Sequence, residues 1–224
     1  MHEVLAPTLT PVDTLLRTRQ GDVEDLLPGD VALAGYFCDC LSSPAPGQRF
    51  LARQIRYLSD ETKKPMEGVL DIGDVNVFPL EPEKHMAVME HQISLVYDAG
   101  ARLCLVGGDA SGFEVLSKTL SNKLEREITT VHTGQGESGT SDLSPAILAV
   151  DLSRLAGSWM SRPQRLGGVS PLEIITEISA IQRPITAAAI YGLAPTLGEV
   201  GLFETRVSRD VLAALVDTLK RRIS

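Results

Sequence analysis

Four places in this chain carry residue types that could do chemistry, and each follows a short apolar run. Asp109 comes after Leu103-Cys104-Leu105-Val106 and the pair Gly107-Gly108, and stands before Ala110 and Ser111. A carboxylate at a strand-to-helix turn can hold a metal ion or cap the helix it precedes, and the tight Gly-Gly turn favours the cap. His132 closes the run from Ile128, and Asp151 closes a run that starts at Ala146. Both are ligand types for a divalent ion, and both are equally the kind of core polar group that a hydrogen bond satisfies. Cys38 and Cys40 follow a fourth run, with Cys104 inside another. Thiolate zinc sites need four well-spaced ligands, and a nucleophilic cysteine needs a base and an orienting group. Cys38 or Cys40 with His132 would supply only part of that set. His85 and His91 lie six apart, on different faces of a helix, and are expected to be solvated rather than ligands. The Gly-Gly turn lacks the longer glycine loop and lysine of a phosphate cradle, and Asp109 would repel phosphate.

The elements that must position these residues alternate between two periods. Apolar runs at Val31–Phe37, Leu103–Val106, Ala146–Leu152 and Ile185–Leu193 read as strands, Ile128–His132 as a short strand-like run, and Val69–Val75, on its residues alone, as an edge strand with a polar turn. Between them, helical spacing predicts a helix around Ala52–Arg56 with Phe50, Ile55 and Leu58 inward, a second over Glu83–Ala99 and a third over Phe113–Leu124. Ser170-Pro171-Leu172-Glu173 has the form of a capping box with proline at the first helical position. Val207–Arg222 predicts a closing amphipathic helix with Leu212, Leu215 and Leu219 on one face. Residues 1–29, broken by Pro7, Pro11 and Pro28, read as an N-terminal arm with a short helix at Val12–Leu16; residues 30–224 read as one α/β domain.

Composition excludes several function classes. A formal charge of −8 offers no basic face for nucleic acid. No apolar run has membrane-spanning length, and the first residues lack a signal pattern. Three cysteines cannot close a disulfide framework, so a cytoplasmic location is expected.

Six segments, in order, resemble the motifs of the ureohydrolases, the arginase and agmatinase family. Gly35 to Asp39, with Pro46-Gly47 and Ile55-Arg56, is similar to the opening strand, loop and helix. Asp71-Ile72-Gly73-Asp74 is similar to the family's Asp-x-Gly-Asp turn, and Val106 to Ser111 resembles Gly-Gly-Asp-His-Ser with Ala110 in place of histidine. Thr130 to Gly134 stands where the family has Asp-Ala-His-x-Asp, and only His132 matches. Ala149, Asp151 and Ser153 stand for Ser-x-Asp-x-Asp, and Gly167 to Glu173 resembles the Gly-Gly-Leu-Ser-x-x-Glu of a late helix start. Matching on Pro195 puts Gly192 at the position of the guanidine-binding glutamate.

The resemblance implies a three-layer α/β/α fold with a mostly parallel sheet, shortened between the second and third metal motifs, because only residues 133–150 separate His132 from Asp151. It also implies a reaction in which two Mn²⁺ or Ni²⁺ ions activate water against a guanidinium carbon. Such a pair needs several carboxylates. Of the six ligand positions, four read Ala110, Thr130, Gly134 and Ser153, leaving His132 and Asp151; Gly107, Gly108 and Asp109 remain as a structural turn. The expectation is a catalytically inactive subunit that holds no metal. It would assemble with an active, Ni²⁺- or Mn²⁺-bearing ureohydrolase paralogue as a hetero-oligomer of trimer or hexamer type, acting on a guanidine or biguanide as metformin hydrolases do. The arm and the Asp39–Gly47 loop are the segments expected to reach that partner. The alternatives are a stand-alone amine- or guanidine-binding protein and a hydrolase with a rebuilt site.

Overall fold

A computed structural model describes residues 19–38, 48–57, 68–75, 78, 81–134, 144–155, 168–194 and 199–221. The expected helix at Val12–Leu16, the Asp39–Gly47 loop, Cys40, Leu58 and Pro195 lie outside them. In chain order the elements are β1 (Arg19–Gln20), β2 (Val31–Gly35), α1 (Leu51–Tyr57), β3 (Val69–Asp74), α2 (Pro82–Asp98), β4 (Arg102–Val106), α3 (Ala110–Lys123), β5 (Thr129–His132), β6 (Ala146–Asp151), α4 (Pro171–Ala180), β7 (Ile185–Tyr191) and α5 (Glu199–Lys220). The strands form one sheet in the order β1-β3-β2-β4-β7-β6-β5, and every pairing is parallel.

Period-two alternation splits each central strand between two cores. Val31 and Leu33 of β2, and Ala146, Leu148 and Val150 of β6, pack with α1, α4 and α5. Ala32 and Ala34, with Ile147 and Ala149, face α2 and α3. Both faces are covered, which is why the strands read as continuous apolar runs rather than alternating ones. The three-layer α/β/α architecture is therefore the one expected.

Several helix ends follow the local chemistry. Asp109 caps α3 by accepting from the Ser111 N–H at 3.0 Å. Ser170 accepts from the Glu173 N–H at 3.2 Å while Glu173 accepts from the Ser170 N–H at 2.6 Å. The closing helix begins at Glu199, two turns before the expected Val207. Its inward residues there include Glu204 and Thr205, both buried, and a hydrophobic periodicity does not register polar core positions. Thr205 Oγ1 reaches Gln54 Oε1 on α1 at 3.1 Å.

Two further expectations are corrected. Phe50 is 38% exposed and stands edge-on to Phe37, while Leu51, Ala52 and Ile55 are the buried residues. Gln48–Phe50 form a separate 3-10 turn, so the inward spacing of α1 does not extend back to Phe50. His85 is only 2% exposed, because the first turn of α2 packs over Tyr36; His91, as expected, faces solvent.

A buried ion network locks α1 to the end of β3. Arg56 donates from Nε and Nη2 to the two carboxylate oxygens of Asp71, each at 2.9 Å, and from Nη1 to Asp74. Burial opposes the guanidinium charge, and the bonds from Asp71 and Asp74 overcome it, holding Arg56 above its ordinary value.

Candidate functional site

Parallel pairing delivers the carboxyl ends of all the strands to one edge of the sheet, where ligands of open α/β folds bind. Val106 is level with Ile190, His132 with Ala149, and Asp151 with Tyr191. Gly107, Gly108, Asp109, His132, Asp151 and Gly192 therefore share that edge. Gly107 and Gly108 both take positive φ, +91° and +71°. Their turn is pinned by backbone bonds: Gly107 N–H to Ile190 O (2.8 Å), Gly108 N–H to Gln48 O (3.0 Å), Asp109 N–H to Cys38 O (3.1 Å) and Gly192 N–H to Gly108 O (3.2 Å). A Cβ on Gly108 would strike Tyr36.

Asp109 starts a buried polar chain that sequence reasoning missed. Its Oδ1 also accepts from the Ser111 hydroxyl, which lies 2.9 Å from the Tyr36 hydroxyl, which in turn lies 3.1 Å from His85 Nε2. All four residues are buried. Burial raises the Tyr36 phenol well above its ordinary range, so it is neutral at any physiological pH. The chain joins β2, α2 and α3 and presents no group to solvent; its role is structural.

The six positions that the resemblance assigns to metal ligands have other surroundings. Ala110 opens α3 with a methyl group. Thr130 and His132 lie on the same face of β5, two residues apart. The His132 ring meets Phe113 edge-on at 5.7 Å, and Phe113 stacks on Tyr191 at 6.2 Å. Asp151 does not bond to His132; it accepts from the Ser153 N–H at 2.9 Å and caps the 3-10 turn Leu152–Arg154. That turn brings Arg154 back over Gly134. Its Nη1 donates to Thr133 O, and a Cβ on Gly134 would fall inside the guanidinium. A Cβ on Gly192, where φ is +85°, would collide with Asp151 Oδ1 and lie 3.2 Å from Ser153 N.

The electrostatics follow from this packing. Burial, with Asp151 and Glu114 nearby, pushes the Tyr191 phenol up to about 12. Where a second aspartate and a metal pair would put negative ligands around positive ions, this edge has aromatic rings and the Arg154 guanidinium. A fixed cation next to the site opposes a divalent ion. Among the described residues, no group of three or more His, Cys, Asp or Glu side chains is placed to hold a metal. The described residues at this edge do not fit a dinuclear metal centre. Nor do Cys38 and Cys104 offer a nucleophile: both are buried, and burial raises the Cys104 thiol far above its ordinary value. Arg154, Phe113 and Tyr191 were not anticipated. The signal available in the sequence was an arginine directly after Ser153, in a stretch expected to supply carboxylates.

The comparisons place this edge in a known fold. The model of the arginase family matches residues 29–133, a span that includes the Gly-Gly-Asp turn and His132 and stops short of Asp151. The chain is similar in structure to proclavaminate amidino hydrolase from Streptomyces clavuligerus, at 14% identity and TM-score 0.75 over 94% of this chain and 98% of that one. Formimidoylglutamase from Bacillus subtilis gives 14% and 0.69 over 98% and 96%, and arginase from Medicago truncatula 15% and 0.68 over 85% and 87%. No curated protein matches in sequence. The chain has the arginase-family, or ureohydrolase, fold.

Proposed function

We propose that this chain is a ureohydrolase-like subunit without a metal-dependent reaction of its own. It assembles with a metal-bearing paralogue that cleaves a guanidine or biguanide C–N bond, in the manner of metformin hydrolases. The observation that carries the first half is the position of Arg154, whose guanidinium fills the space a side chain at 134 would need. Ala110, the aromatic stack and the capping role of Asp151 add to it, since each assigns a former ligand position to packing or to backbone support. The second half rests on the retention of the fold. The Gly-Gly turn, the Arg56 network and the Asp109 chain are built around an edge whose described residues do not fit the metals, which supports the scaffold itself as what the chain contributes.

The test is co-expression with a metal-competent ureohydrolase paralogue from the same source. The two chains are expected to co-purify in fixed ratio, with Ni²⁺-dependent hydrolysis of metformin or agmatine in the complex and none in this chain alone. Failure to co-purify overturns the assembly, and activity of the isolated chain overturns the loss of chemistry.

A further inference from the structure

β5 is the last strand of the sheet and is paired on one side only, with β6. In a parallel pair, alternate residues turn both backbone groups toward the neighbour, and the residues between turn theirs away. The Thr133 N–H reaches Ala149 O on β6 at 3.1 Å, which fixes the phase: Val131 bonds inward, while Thr130 and His132 present N–H and C=O outward. Ile128 belongs to the outward set as well, and its N–H goes to Ser121 Oγ at 3.3 Å instead of to β6. The outward groups of Thr130 and His132 have no hydrogen-bond partner among the described residues. An open edge of this kind is a template for another strand, and natural chains commonly block it with charged side chains or proline. Thr129-Thr130-Val131-His132 has no lysine, arginine, carboxylate or proline.

Two features select the strand that fits. The free groups are self-complementary. In an antiparallel pair with a two-fold axis at Val131, Thr130 faces His132 of a second copy and His132 faces its Thr130, each pair exchanging two bonds. Every free group of the two residues is then used. Charge points the same way: a chain of net charge −8 is repelled by its own copy, and this strand brings no carboxylate to the seam. The axis also sets both α4 helices on one face of the joined sheet. The apolar groove of about 230 Å³ between β5 and α4, with Val131, Leu148, Ala180 and Ile181 in its wall, then runs on into that of the copy. Glu177 is the carboxylate in that wall, and Arg154 lies 4.0 Å from it.

We infer that β5 pairs antiparallel with β5 of a second copy about Val131, giving a two-fold dimer with one continuous sheet. The inference does not depend on the function proposed above.

Sedimentation of the full chain over a concentration series, together with disulfide trapping in a Cys40→Ser background, tests it. A monomer–dimer equilibrium is expected, its dissociation constant raised about tenfold or more by Thr130→Pro, which removes an outward N–H and no bond to β6. Directly opposite residues of a non-hydrogen-bonded pair have Cα atoms about 4.5 Å apart, within disulfide reach. Val131→Cys is therefore expected to link two chains under mild copper–phenanthroline oxidation, and Thr130→Cys, two residues out of register with its copy, is not. Circular dichroism checks that each variant folds; the cysteine variants carry the test should Thr130→Pro fail to fold. A chain that stays monomeric, whether the strand is left bare or taken by a segment of the same chain, overturns the inference. So does a dimer unmoved by Thr130→Pro, or equal linking through Thr130→Cys.

Discussion

At position 134 a side chain would have to share space with the Arg154 guanidinium, in a backbone conformation, φ +81°, that L-residues rarely adopt. Gly134→Asp is therefore expected to destabilise the chain by roughly 1–3 kcal/mol in urea titration. In a double-mutant cycle with Arg154→Ala, part of that loss is expected to disappear, leaving the backbone term; strictly additive losses would show that the two residues do not compete. Tyr191 supplies a pH dependence with a definite sign. Its folded value, about 12, lies above the ordinary 10.0, chiefly because of burial. The folded state thus keeps its proton when the unfolded state has released it, and the contribution is intact below pH 10. It is lost as pH rises towards 12, by roughly 2–3 kcal/mol in all. Urea midpoints between pH 9 and 12 are expected to fall more steeply for the native chain than for Tyr191→Phe. Equal slopes would mean that Tyr191 is solvated in the folded state.

At the scale of elements, the fold rests on two polar fastenings that link segments far apart in sequence. Arg56 ties α1 to β3 with its side chain 5% exposed. Arg56→Met strands the Asp71 carboxylate in the interior, while Asp74 keeps Arg53 at 3.6 Å, and a loss of about 3–5 kcal/mol is expected from thermal or urea unfolding. Asp109→Ala removes the α3 cap and the acceptor for Ser111, and is expected to cost about 1–2 kcal/mol or more; a neutral result would remove this turn from its structural role. These fastenings also mark what the sequence makes legible. The capping box at Ser170 and the cap at Asp109 could be read directly, because each is settled by residues two or three apart. The strands were legible because parallel pairing buries them on both faces. The burial of His85 was not, since its partner Tyr36 lies 49 residues earlier, just after β2. The same holds for Arg154 over Gly134, a meeting that depends on how the turn after β6 folds back on the end of β5. The early start of α5 was hidden because Glu204 and Thr205 face inward with polar groups.

For the whole molecule, the sheet delivers the expected positions to one edge and the packing there takes a different course from metal chemistry. His132 and Asp151 do reach that edge, but one leans on an aromatic ring and the other caps a turn. Two side chains with those commitments, beside a guanidinium, are a poor beginning for a site that must neutralise two divalent ions. The chain keeps the arginase-family fold around them, which is why assembly with a competent paralogue is the function proposed for it. The most direct test of the central claim is the metal content of the purified chain after dialysis against Mn²⁺ and Ni²⁺, read by elemental analysis. Well below one ion per chain is the result expected; two tightly held ions per chain would contradict the account and restore this edge as a metal centre.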